Sequence, residues 1–260
     1  MSTCNVDKWN MLAPTFDAFE IPKIGEDDCL TLINDLKLVT KDSSVMDIGC
    51  GAGRYTIAFA QMCRSVIGTD LSPQMIDYAQ KRADSMGLNH ISFICEDWDA
   101  ISIQERNYQN QFDFVFAHMT PAIHNTETLM KLQACSKKWC MLVRHIHMET
   151  PLLIAAKQML NLSNQTPADS YHDSYHADQI FHDLWNQGKR PQMTYFKQKR
   201  NMQRPIDIEL TLLFEDVEKF TSLTPEIKEQ LTHLAAAYTK DGMVHQTYEV
   251  PIFAMYWNVL

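Results

Sequence analysis

Two hydrophobic periods alternate along the chain from about residue 26. Stretches with apolar positions at helical spacing are separated by short, almost unbroken apolar runs. Residues 28–39 read as a helix and 44–48 as a strand. The next helix, 54–62, has Ile57, Ala58, Ala60 and Gln61 at helical spacing. Residues 65–69 read as a second strand, ending in Asp70. A helix then starts at Ser72-Pro73, with Ser72 as N-cap and Pro73 at the first helical position, and stops at Gly87. Residues 91–95 and 112–117 read as strands, 126–136 as a helix and 139–145 as a fifth strand. Short continuous apolar strands alternating with helices predict an α/β fold whose parallel sheet is covered on both faces.

Beyond Thr150 the periodicity predicts helices at 152–162, 176–187, 206–220 and 225–238. Residues 192–200 alternate and are rich in Lys and Arg, as an exposed strand is, and 246–259 form an apolar, aromatic-rich terminal strand. Seven strands are therefore expected, the last two closing the sheet in antiparallel fashion.

Composition narrows the class without changing this outline. The chain has 260 residues, 45% apolar and 21% charged, with 8 Gly, 10 Pro and 7 Cys, which excludes collagen-like, low-complexity and wholly disordered chains. A formal charge of −9 argues against a nucleic-acid-binding face, because phosphate binding needs clustered Lys and Arg. The cysteines are odd in number, scattered and without a CxxC pair, so neither a disulfide framework nor a zinc ribbon is expected. The start of the chain lacks a basic-then-apolar leader, and no apolar run approaches the length of a membrane span. The expectation is a cytoplasmic protein with no membrane and no nucleic-acid partner, a monomer or a homodimer.

The chemistry concentrates in Asp47-Ile48-Gly49-Cys50-Gly51-Ala52-Gly53-Arg54, where a strand runs into glycines and out into a helix. Glycines let the backbone turn tightly and let a ligand touch it without a Cβ in the way, and a following helix offers N–H groups to an anion. A dinucleotide fingerprint would need G-x-G-x-x-G/A; counted from Gly49 it breaks at Arg54, and from Gly51 at Thr56. No phosphate-loop Gly-Lys-Ser/Thr follows.

The pattern present, D-x-G-x-G-x-G, resembles motif I of the class I S-adenosylmethionine (SAM) dependent methyltransferases. Gly68-Thr69-Asp70-Leu71-Ser72-Pro73-Gln74-Met75 looks like that family's second motif, Cys95-Glu96-Asp97-Trp98 like its adenine-edge segment, and 112–118 like its motif IV. The resemblance implies a Rossmann-like single domain over 1–260, with residues 1–25 covering the cofactor and residues 150–190 covering the substrate. It implies SAM as cofactor, held by Asp47, Gly49, Cys50, Gly51, Gly53, Asp70, Leu71, Met75, Asp97, Trp98 and Ala117. Asp70 would accept from the two ribose hydroxyls, since a vicinal diol offers two donors and a carboxylate two acceptor oxygens. Leu71 and Met75 would pack on adenine. Asp97 would take the exocyclic amine, and Trp98 would offer its backbone N–H.

Methyl transfer needs alignment, and a base where the acceptor is protonated. His118, at the end of the fourth strand, is the first candidate base and His145, at the end of the fifth, the second; His147 and His124 follow. His172 and His176 have i, i+4 spacing, but no flanking Cys or Glu completes a ligand set, and no metal is expected. Ala117-His118-Met119-Thr120-Pro121-Ala122 departs from the Asn/Asp-Pro-Pro-Tyr/Phe of methyltransferases acting on exocyclic amines of adenine or on glutamine. The expected function is methyl transfer to a small molecule, with a SAM-binding sensor or partner protein as the alternative. A nicotinamide-dependent oxidoreductase is weakened by Arg54 and Thr56.

Overall fold

A computed structural model describes residues 6–164 and 175–260. They divide into two compact units, the first made of residues 6–144, 175–196 and 253–260, the second of residues 145–164 and 197–252.

In the first unit, helices α1 (Val6–Asp17) and α2 (Asp28–Asp35) precede strand β1 (Ser44–Ile48). There follow α3 (Arg54–Ala60), β2 (Ser65–Asp70), α4 (Pro73–Ser85), β3 (Ile91–Cys95), β4 (Phe112–His118), α5 (Thr126–Cys135) and β5 (Ser136–His145). Strands β3, β2, β1, β4 and β5 are neighbours in that order, and all four contacts are parallel. Every residue of β1 is buried, Ser44 and Asp47 included, as in a strand covered on both sides. In β4 the alternation is plain. Phe114 and Phe116 meet Phe59 of α3, while Val115 and Ala117 enter a second cluster with Leu129 and Leu132 of α5. Helix α7 (Ala177–Asn186) adds Ile180 and Leu184 to that second cluster.

In the second unit α6 (Pro151–Met159), α8 (Ile206–Glu218) and α9 (Pro225–Ala236) pack around Leu152, Ala156, Leu213, Val217, Leu231 and Ala235. The two long strands, β6 (Gln192–Pro205) and β8 (Met243–Asn258), run through both units. The full strand order is β3-β2-β1-β4-β5-β8-β6, with antiparallel final strands. Buried Glu209 accepts from Gln246 Nε2 at 2.6 Å and from Arg204 at 3.0 Å, so its charge is paired where it leaves water.

Among the described residues the sheet has eight strands where seven are expected. The extra one, β7 (Thr239–Lys240), is a two-residue strand that pairs antiparallel with the start of β8. Asp241 and Gly242 between them both have positive φ, the Asp-Gly turn that matches strand twist in a tight hairpin. Helix α2 stops at Asp35 rather than residue 39 because Lys37 takes a left-handed φ of 55°. Helix α1 has no counterpart among the periodicity-based elements; Pro14 and widely spaced aromatics mask it. Among the described residues, no helix is long and apolar enough to cross a membrane.

Candidate active site

Strand order reverses at β1. The loop after β1 leads to α3 and on to β2 on one side, while β4 lies on the other, so the ends of β1 and β4 border the crevice where open α/β sheets bind ligands. The register pairs Ile48 with Ala117, which brings Gly49 alongside His118.

The glycine turn is built on left-handed backbone, with φ of +68° at Gly49, +54° at Gly51 and +79° at Gly53. At Gly49 the constraint is also steric. A Cβ there would lie 2.0 Å from Thr120 Oγ1 and 2.5 Å from Thr120 Cβ, so the loop after β4 rests directly on the glycine backbone. Cys50, itself buried, donates its N–H to Thr69 O at 2.9 Å and fastens the turn to the end of β2.

Asp70 closes the turn from β2. Its Oδ2 accepts from Gly51 N–H and its Oδ1 from Ser72 N–H, both at 2.9 Å. Burial raises this carboxyl above its ordinary pKa, and the N–H bonds from Ser72, Gly51 and Leu71 pull against that rise. Each carboxylate oxygen has a second lone-pair direction, so the group can accept further donors without releasing the backbone.

Helix α1 is tied to this turn. Ser72 Oγ donates to Asn10 Oδ1 at 2.6 Å and accepts from Met75 N–H at 3.1 Å, so the N-cap of α4 also anchors α1. Ala13, Ala52 and Met75 form a small core with Trp9, Phe16 and Tyr78 around them. Arg54 donates to Glu20 O at 2.9 Å and Arg82 to Phe19 O at 2.9 Å, holding the segment after α1 on the same side.

The other predicted residues fall as follows. Asp97, half-buried after β3, accepts from Asp99 N–H through Oδ1 at 3.0 Å. Leu71 is half-buried beside Asp70. Met75 is fully buried in the α1–α4 contact, and the Trp98 and Ala117 side chains lie in the core, so Trp98 and Ala117 offer the crevice main-chain atoms. His118 ends β4, its ring 4.4 Å from Tyr55 and 5.9 Å from Phe116, centroid to centroid. Tyr55 OH in turn donates to Asp27 at 3.0 Å. His145 ends β5 and opens the second unit, as His118 belongs to the first. His124 Nε2 lies 3.6 Å from Asp99, and His147 lies 3.3 Å from Glu149. His172 lies outside the described residues, and the His172–His176 pairing with it. Among the described residues no cluster of three or more His, Cys, Asp or Glu is placed to hold a metal.

Asp47 sits below the turn, 2% exposed, and accepts from Thr56 Oγ1 at 2.6 Å. Burial raises its pKa to about 7, the Thr56 bond opposing the rise. Folded protein therefore holds this proton between roughly pH 4 and pH 7 where unfolded chain has lost it, so stability falls as pH rises through that window and levels off above it. The whole change amounts to about 4 kcal/mol at most. Asp47→Asn removes the titration but keeps an acceptor for Thr56. Urea melts are expected to show the variant at least as stable as the wild type at pH 8, with its advantage gone by pH 5; an identical pH slope in both proteins would refute this.

Thr56, Thr120, Tyr55 and Asn10 were not among the residues the sequence singles out for the site. Thr56 alone had a signal: an acid among the apolar residues of a buried strand must find a donor nearby.

Residues 45–138 match the model of a family described as a methyltransferase domain. The 23S rRNA (uracil(1939)-C(5))-methyltransferase of Marinomonas posidonica is 37% identical over 57 residues, 22% of this chain and 13% of that protein. The chain thus spans far less than two thirds of that relative's length. Among solved structures, a SAM-dependent methyltransferase from Aquifex aeolicus is similar over 99% of this chain and 100% of its own, with 14% identity and a TM-score of 0.53. A Bacillus halodurans C-125 protein assigned as a methyltransferase covers 90% of this chain and 99% of its own, with 16% identity and a TM-score of 0.56. The fold is the Rossmann-like one shared by SAM-dependent methyltransferases. Residues 45–138 carry the match to the methyltransferase-domain family model, within the fold that these solved structures share.

Proposed function

We propose that the protein binds SAM in the crevice above β1 and transfers its methyl group to a small molecule. The observation that carries this reading is the coupling of a left-handed glycine turn to an acid: Gly51 N–H is bound by Asp70, and the Gly49 surface admits no Cβ. Such a turn, braced by Thr120 at Gly49 and by Asp70 at Gly51, would present its remaining main-chain groups to the amino-acid end of the cofactor, with Asp70 at the sugar and Asp97 at the base. When bound, SAM supplies an electrophilic methyl on a sulfonium, so the chain's task is to align, enclose and deprotonate. Residues 1–25 are proposed to cover the cofactor, consistent with Phe16 lying next to Gly51. Cys50 and Gly53 shape the turn, Leu71 and Met75 support the adenine side, and Asp47 stiffens β1 through Thr56.

His118 is proposed as the base. Its ring packs against Tyr55 and Phe116, which also touch each other, at the end of β4, beside Gly49. His118→Ala is expected to lower turnover about 100-fold or more while SAM affinity changes less than about threefold. An unchanged rate would remove His118 from the chemistry. The same assay on His145→Ala tests the last residue of β5.

A small-molecule acceptor is supported by the acidic charge of −9 and by the Ala117–Ala122 sequence. The matching rRNA methyltransferase makes RNA the competing acceptor. The deciding experiment is thermal shift with SAM, its demethylated product and NAD(P), followed by transfer from methyl-labelled SAM into small-molecule, RNA and protein pools. Stabilisation by NAD(P) alone would defeat the cofactor reading, and label confined to RNA would defeat the acceptor reading. SAM binding with no transfer to any pool would favour a sensor.

A further inference from the structure

We infer that Lys131 is a positioning residue that sets selectivity for the cofactor's base, because its ammonium holds three converging carbonyls of the turn that carries Asp97. The inference rests on the reading of residues 97–98 as the adenine subsite. Lys131 projects from α5, and its Nζ donates to Trp98 O at 2.8 Å, Asp99 O at 3.2 Å and Ile101 O at 3.2 Å. An ammonium has three N–H groups, and here each meets one main-chain carbonyl. The lysine stem reaches there across the Trp98 indole, Nζ lying 5.8 Å from the ring centroid.

The consequence for Asp97 follows from peptide geometry. In a trans peptide the C=O and the next N–H point in opposite directions. Fixing Trp98 O on Lys131 therefore turns Asp99 N–H away from Lys131, and that N–H is the one that binds Asp97 Oδ1 at 3.0 Å. Fixing Asp99 O likewise orients Ala100 N–H, which donates to Asp97 O at 3.0 Å. One side chain thus sets the peptide planes that orient the Asp97 carboxylate, leaving Oδ2 as the acceptor for adenine's exocyclic amine. Lys131 lies more than thirty residues from the acid it serves and need not touch the cofactor.

The test compares S-adenosylhomocysteine with S-inosylhomocysteine, which has a carbonyl in place of the exocyclic amine and a proton on N1, by calorimetry on the full chain. The wild type is expected to prefer the adenosyl form about tenfold, the worth of one hydrogen bond to a charged acceptor. Lys131→Met keeps the stem and removes the donors. Its adenosyl-to-inosyl ratio is expected to fall to about one, with inosyl affinity held within about twofold. A general loss of stability would weaken both ligands together and leave the ratio intact, which overturns the inference. Lys131→Arg, whose flat fork cannot aim three N–H groups at three converging carbonyls, is expected to give an intermediate ratio. Amide hydrogen exchange on wild-type protein gives a readout that needs no variant: the Asp99 amide is expected to be protected, and rapid exchange there overturns the proposal. A wild type that binds neither ligand defeats the SAM reading itself; one that binds both equally defeats only the role given to Asp97 and Lys131.

Discussion

Gly49→Ala is expected to cost about 3 kcal/mol of stability and to weaken SAM binding about 100-fold. Two costs add. Alanine at a φ of +68° carries the left-handed penalty of about 1–2 kcal/mol. Its methyl would also stand 2.5 Å from Thr120 Cβ, and no rotamer change moves a Cβ. The loop after β4 must shift, carrying with it the segment that follows His118. The double variant Gly49→Ala, Thr120→Gly removes the collision and keeps the backbone penalty, so about half of the lost stability should return. The residual includes the lost bond from Ala122 N–H to Thr120 Oγ1. Urea melts and SAM titration of the wild type, Gly49→Ala, Thr120→Gly and the double variant measure both terms. Wild-type affinity in the single variant would show that the turn does not carry the ligand.

The fold was legible where local chemistry repeats the global answer. Ser72-Pro73 predicts the start of α4, and Ser72 Oγ does accept from Met75 N–H. The apolar runs of β1 and β4 predict strands buried on both sides, and they are. What escaped was set by distance along the chain. Thr120 matters because the β1–β4 register places it on Gly49, and nothing local to either residue states that register. Lys131 is one more polar residue on an amphipathic helix until three carbonyls about thirty residues earlier come within reach. The same limit applies to the two histidines proposed as bases: β4 and β5 each end in one, yet His118 and His145 fall in different compact units. Helix α1 was hidden for another reason. Its burial is confined to Leu12, Ala13 and Thr15, too short a stripe to announce a helix by periodicity.

Asp70→Asn is expected to raise the dissociation constant for SAM about 100-fold or more. The carboxylate accepts from two backbone N–H groups of two different loops, Gly51 and Ser72. An amide has one acceptor oxygen, so its NH2 must face one of those N–H groups, donor against donor. Each charge-assisted bond lost costs about 1.5–3 kcal/mol, which falls on the turn and on the N-terminus of α4 together. The variant also loses the acceptors assigned to the ribose diol, and the two losses can be separated. S-adenosylhomocysteine and its 2′-deoxy analogue should differ about tenfold in affinity for the wild type and hardly at all for Asp70→Asn. Asp77→Ala, an exposed acid on α4 paired only with Lys81, serves as the control and should leave both affinities unchanged. If the deoxy analogue is discriminated equally by wild type and variant, Asp70 is a brace for the glycine turn and the sugar is held elsewhere. If the variant binds SAM as the wild type does, the coupling of Gly51 to Asp70 is a packing feature, and the crevice above β1 loses the residue on which its assignment as a nucleoside site depends.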